Sequence, residues 1–121
     1  MKKILIVDDD PKITTLLERF LSANGYRVTA LNDSTQVMQT AGQDHPDLFI
    51  LDIMMPPPDG FTLCRMLRDD PRFASTPILI ITAMDRSNSR ASTLGANDYL
   101  SKPFDLDELA ERISILLQPP A

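Results

Sequence analysis

The chain carries one cysteine, one histidine and four glycines in 121 residues, and each scarcity removes a class of function. A lone Cys64 has no partner for a disulfide. Set in a helical pattern, it reads as a small buried filler compatible with a reduced compartment. The single histidine, His45, lies in the polar stretch Gln43-Asp44-His45-Pro46 ahead of an apolar run. It is expected to be a solvated loop residue and not a phosphorylated one. None of the four glycines forms a phosphate-cradling loop, which weighs against a nucleotide- or flavin-binding module. Basic residues are also few: twelve against seventeen acids give a net charge of -5, which repels a polyanionic backbone. Direct nucleic-acid binding by this domain is therefore not expected. No apolar run approaches the roughly 18 residues of a spanning helix. Met1-Lys2-Lys3 leads straight into ILIVDDD without the layout of a signal peptide. The expectation is a cytoplasmic chain without membrane contact.

What is present is an ordinary globular composition, 43% hydrophobic and 24% charged, in a length that suits one domain with its own core. Residues 1–117 are read as that domain. Gln118-Pro119-Pro120-Ala121 cannot continue a helix and reads as a frayed tail or the start of a linker.

Short apolar runs alternate with amphipathic segments. Ile4 to Val7 is a buried strand ending in acids, followed by Asp10-Pro11 as helix cap and first turn. Ile13, Leu16, Leu17, Phe20 and Leu21 mark that helix, which Asn24-Gly25 stops. Tyr26 to Ala30 is a second strand, and Val37, Met38 and Ala41 mark a weaker second helix. Leu48 to Asp52 repeats the apolar-then-acid design, and a helix beyond the prolines is expected to turn Leu63, Met66 and Leu67 inward. Pro77 to Thr82 is a fourth strand. Asp85 to Leu94, poor in apolar residues, is expected to be the least anchored helix. Tyr99 to Ser101 closes the set of strands, and Asp105 caps a last helix striped by Leu106, Leu109, Ala110, Ile113, Leu116 and Leu117. About five strands alternating with about five helices predict a doubly wound α/β sheet. Its site lies beyond the carboxyl ends of the strands.

At those ends the sequence places Asp8 and Asp9, Asp52, Thr82 and Lys102. Two unit charges 4 Å apart repel by about 4 kcal/mol at an effective dielectric of 20, so three converging carboxylates call for a cation. Oxygen ligands without nearby cysteine or histidine favour a hard ion, and Mg²⁺ commonly takes one or two carboxylates, waters and a phosphate oxygen. A carboxylate beside such an ion can attack phosphorus. Positioning and charge neutralisation supply most of what phosphoryl transfer asks of a protein. Asp52 is the best nucleophile candidate because it ends the most buried-looking acid-ended strand, whereas Asp8 and Asp9 share one turn and suit metal binding.

The blocks ILIVDDD, DLFILDIMMPPPDG, PILIITAMD and GANDYLSKPF resemble the four signature blocks of response-regulator receiver domains, in order and spacing, over essentially the whole chain. The resemblance implies a flavodoxin-like five-stranded parallel sheet of order 2-1-3-4-5 and phosphoryl transfer to Asp52 from a sensor histidine kinase or phosphotransfer protein. Asp9, Asp52 and the Met54 carbonyl would bind Mg²⁺, with Mn²⁺ able to substitute, and Asp8 would act largely through a coordinated water. Thr82 and the amides of Met54 and Ala83 would hydrogen-bond the phosphoryl oxygens, and Lys102 would pair with them. Thr82 and Tyr99 would form a conformational switch, and the Lys102-Pro103 peptide would be cis. A face built from the weak fourth helix, the last strand and the last helix would carry the readout, homodimerisation included.

Two departures stand out. Pro56 is followed by Pro57 and Pro58, which excludes positive φ at Pro57 and predicts a stiffer loop. Met54 and Met84, two residues beyond Asp52 and Thr82, cannot orient an attacking water, so slow self-dephosphorylation is expected. Met54 also stands where an aspartyl-phosphate phosphatase would carry a second acid.

Overall fold

The structure, a computed structural model, describes residues 1–83 and 95–118. Five parallel strands form one sheet: β1 (Lys3–Val7), β2 (Arg27–Leu31), β3 (Leu48–Leu51), β4 (Ile78–Thr82) and β5 (Asp98–Ser101), in the order β2-β1-β3-β4-β5. This is the doubly wound order predicted above. Four helices are described: α1 (Pro11–Ala23), α2 (Val37–Asp44), α3 (Gly60–Asp69) and α4 (Leu106–Leu116), with a single 3₁₀ turn at Ser34–Gln36. The helix expected over 85–94 lies outside the described residues, and α4 is the last helix of the sequence reading.

Because side chains alternate across a strand, the continuous apolar runs feed two cores. Leu5, Val7, Phe49, Leu51, Ile78 and Ile80 pack against α2 and α3 on one face. Ile4, Ile6, Leu48, Ile50, Leu79, Ile81 and Leu100 pack against α1 and α4 on the other. Phe49 and Phe73 meet edge to face with ring centroids 5.5 Å apart.

Capping residues behave as read. Asp10 accepts from the Lys12 amide at 2.9 Å, and Asp105 accepts from Asp107 at 2.7 Å. Asp59 caps α3 through the Thr62 amide at 2.8 Å. Gly25, at φ 90, follows α1, and His45, exposed and at φ 51, ends α2. Two apolar expectations are corrected. Leu16 and Met66 face solvent, 44% and 39% exposed, while Thr14 and Cys64 take the inward places. A 100° step per residue gives α1 and α3 narrower buried stripes than their apolar residues alone would draw. At the rim opposite the strands' carboxyl ends, Arg68 of α3 donates to the carbonyls of Phe73, Thr76 and Gly95 and to Asn97 Oδ1, at 2.7 to 3.0 Å. Among the described residues no helix is long and apolar enough to cross a membrane.

Candidate functional site

Backbone pairing continues one residue past each central strand and so fixes where the acids emerge. The Asp8 amide donates to Leu31 O at 3.1 Å and the Asp52 amide to Val7 O at 3.1 Å. Asn32 Nδ2 donates to the Asp8 carbonyl at 2.8 Å and to Thr14 Oγ1 at 2.9 Å, bracing the turn that carries Asp8 and Asp9. On the far side, the Lys102 amide donates to Thr82 O at 2.9 Å, continuing the β4–β5 ladder into the residue that carries the amine. The site thus draws one element from each of four strand ends.

Asp8 and Asp52 are buried, at 3% and 6% exposure, whereas Asp9 is exposed. Their carboxylate oxygens can be chosen to lie within 4.8 Å of one another. Lys102 Nζ bridges two of them, 2.7 Å from Asp8 Oδ2 and 3.0 Å from Asp52 Oδ2. The remaining oxygens find backbone donors: the Asp10 amide reaches Asp8 Oδ1 at 3.0 Å, and the Met54 amide reaches Asp52 Oδ1 at 3.2 Å. Burial pushes the Asp8 carboxyl above the usual carboxylate range, against the hydrogen bonds from Lys102 and Asp10, and the Asp52 charge adds to the rise. Burial also pulls the Lys102 ammonium down, but hydrogen bonds to both carboxylates outweigh it and leave the amine above its ordinary value. A third acid, Asp9, stands beside this pair with no cysteine or histidine in the group. An all-oxygen donor set of three carboxylates, paired among the described residues with the Lys102 amine, suits a hard divalent cation.

The structure brings Thr82, Ala83 and Met54 to the same end, and Tyr99 stands further back on β5. Thr82 ends β4 fully buried, and Ala83 follows it at the surface. Met54 is 58% exposed at the rim. A cleft of about 560 Å³ lies beside it, lined by Asp9, Ile53, Met54, Met55, Pro56, Asp59 and Phe61. Tyr99 sits on β5 opposite Ile80, half-buried against the core shared with α3. The Lys102–Pro103 peptide is cis, and so is Pro57–Pro58, which the sequence reading did not anticipate. Positive φ is absent from the described loop after Asp52. Met84 lies outside the described residues.

Sequence reasoning missed three supports of this site. Besides Asn32, buried Ser34 donates its hydroxyl to the Pro56 carbonyl at 3.1 Å. The Gly60 amide donates to the Ile53 carbonyl at 3.0 Å, closing the loop between Asp52 and α3. Serine and asparagine in turns carry little signal for partners so far along the chain. The Asp-Gly pair at 59–60 could be read only as a helix start.

The model of the response regulator receiver domain matches residues 4–114. The response regulator MprA of Mycobacterium leprae is 46% identical over 121 residues, covering 96% of this chain and 51% of that protein. The DNA-binding dual master transcriptional regulator RpaA of Synechocystis is 42% identical over 120 residues, covering 98% of this chain and 50% of that protein. The chain therefore spans about half the length of these curated relatives. The crystal structure of the response regulator TrrA from Thermotoga maritima in complex with Mg²⁺-BeF superposes with a TM-score of 0.87 at 33% identity, over 97% of this chain and all of that one. By sequence, by fold and by its acidic cluster, this chain belongs to the response regulator receiver domains.

Proposed function

We propose that the domain, over residues 1–117, accepts a phosphoryl group on Asp52 from the phosphohistidine of a sensor histidine kinase or phosphotransfer protein. The reaction depends on Mg²⁺ or Mn²⁺ and takes place in the cytoplasm. The observation that carries this reading is the Lys102 amine bridging Asp8 and Asp52, with Asp9 alongside. Asp8, Asp9, Asp52 and the Met54 carbonyl would hold the ion, which supplies charge neutralisation at the phosphoryl oxygens when bound.

An Asp52 carboxylate oxygen forms the new P–O bond as the P–N bond to the donor imidazole breaks, and the imidazole nitrogen takes a proton from water. The Lys102 amine, already oriented by two carboxylates, turns part of its pairing to the incoming oxygens. The Met54 and Ala83 amides and the Thr82 hydroxyl receive the others. The domain turns over no other substrate; it catalyses only its own phosphorylation and dephosphorylation.

Drawing Thr82 toward the phosphoryl group gives Tyr99 a more inward position, and this switch alters the face that includes β5 and α4. Homodimerisation through the face that includes β5 and α4 is part of this reading. The altered face controls an output domain or partner; RpaA, of which this chain covers half, is described as a DNA-binding transcriptional regulator. Intact mass after incubation with Mg²⁺ and a small phosphodonor tests the acceptor. Wild type gains one phosphoryl group and Asp52→Asn gains none; equal labelling of both removes the assignment. Light scattering with and without a phosphoryl mimic tests the dimer, which a monomer in both states would exclude.

A further inference from the structure

The start of α3 lies directly against the peptide that carries Asp52. A Cβ built on Gly60 would fall 2.2 Å from the Asp52 carbonyl oxygen, 2.8 Å from its carbonyl carbon and 2.6 Å from the Ile53 Cα. All three are backbone atoms, so no side-chain rotation relieves the contact. Restoring even a short 3.0 Å separation from that oxygen would require a shift of about 0.8 Å, in a region of close packing where displacement is shared by neighbours. The strand offers little give, because Asp52 is anchored by its amide to Val7 O and Gly60 by its amide to Ile53 O. The Asp52 side chain leaves from the same peptide, and the Met54 amide that orients its Oδ1 lies two residues on.

We propose that Gly60 is a positioning residue for phosphoryl transfer: its bare Cα lets α3 seat against the Asp52–Ile53 peptide and sets where the acceptor carboxylate stands. Gly60 touches neither phosphoryl group nor metal and acts only through the backbone of Asp52. The inference rests on Asp52 being the acceptor. In such reactions a misplacement of about 1 Å can cost about a hundredfold in rate. A methyl group at Gly60 is therefore expected to lower the rate while leaving the chain folded.

The test is the labelling rate at saturating phosphodonor and Mg²⁺, measured well below each variant's unfolding midpoint. Gly60→Ala is compared with Asp59→Ala, which weakens the same helix start by removing the cap on the Thr62 amide but adds no atom against Asp52. Gly60→Ala is expected to label about tenfold to a hundredfold more slowly per folded molecule than wild type, and Asp59→Ala within about twofold of it. Equal rates for Gly60→Ala and wild type, or equal losses in both variants, would overturn the proposal. So would failure of Gly60→Ala to fold at low temperature, since the contact would then serve the fold as a whole. Absence of labelling in wild type would instead overturn the acceptor assignment, which keeps the two failures apart.

Discussion

Replacing Lys102 with methionine keeps most of the side chain's length and removes the charge that bridges Asp8 and Asp52. Their oxygens, within 4.8 Å of each other, would then repel by at least about 3.5 kcal/mol at an effective dielectric of 20. Breaking a buried pair commonly costs about 3–5 kcal/mol. The Lys102 side chain is 19% exposed, so water entering the cleft screens part of this. With the Lys102 hydrogen bond gone the Asp8 carboxyl titrates higher still, and proton uptake there relieves more of the repulsion. A net loss of about 2–3 kcal/mol follows in metal-free buffer, or about 8–12 °C in Tm for a domain of this size. The same substitution should make the site a better cation trap, because the amine competes with metal for those oxygens. Even a quarter of the ~4 kcal/mol repulsion between two unit charges 4 Å apart corresponds to about fivefold tighter Mg²⁺ binding. Thermal scans in chelator and in saturating Mg²⁺, together with calorimetric titration, read both effects. The reasoning fails if the Mg²⁺-induced rise in Tm for Lys102→Met is no larger than that for wild type.

Asp8 gives the converse test. Its folded carboxyl titrates above the unfolded value of 3.8, so its charge costs stability at neutral pH, and that cost fades as pH falls through the raised pKa. Asp8→Asn should therefore raise the metal-free Tm at neutral pH and blunt the Mg²⁺ response; a fall in chelator would contradict it. Protons should also compete with Mg²⁺ at Asp8 from a higher pH than at an ordinary carboxylate, so affinity should begin to weaken at a higher pH in wild type than in Asp8→Asn. Asp10→Ala loses the cap on the Lys12 amide and should cost about 1 kcal/mol in denaturant unfolding while leaving phosphorylation near wild type. Met54, exposed at the rim without a polar group to hold a water, predicts a phosphoryl lifetime well beyond seconds. Met54→Glu should shorten it, and a wild-type half-life of seconds would refute this account.

The sheet was legible because buried parallel strands are written as unbroken apolar runs, and the run-then-acid pattern at Val7-Asp8 and Leu51-Asp52 marked which strands deliver carboxylates. Strand limits slipped by one residue: Lys3 and Asp98, polar residues that pair in the ladder although no core demands them, extend β1 and β5, while β2 runs one residue later than read, from Arg27 to Leu31. Leu16 and Met66 misled because an apolar residue is not obliged to be buried, and Thr14 was overlooked because its hydroxyl is satisfied internally, by the Pro11 carbonyl and Asn32. The grouping of Asp8, Asp9, Asp52 and Lys102 followed from topology. Its supports did not: Ser34, Asn32 and Gly60 act through contacts with backbone distant in sequence, for which local pattern has no vocabulary.

The reach of Lys102 has a consequence for assembly. Its bond to Asp8 spans 94 residues and its bond to Asp52 spans 50, so the site closes only when the first strand, the third and the segment after the fifth are all in place. Metal affinity in this chain is accordingly a gauge of complete folding. An intermediate lacking the last strand would keep the carboxylates and lose their counter-charge, and it would compete for Mg²⁺ with a different strength from the finished domain. Titrating the ion during refolding would then time the arrival of β5 without any label attached to it.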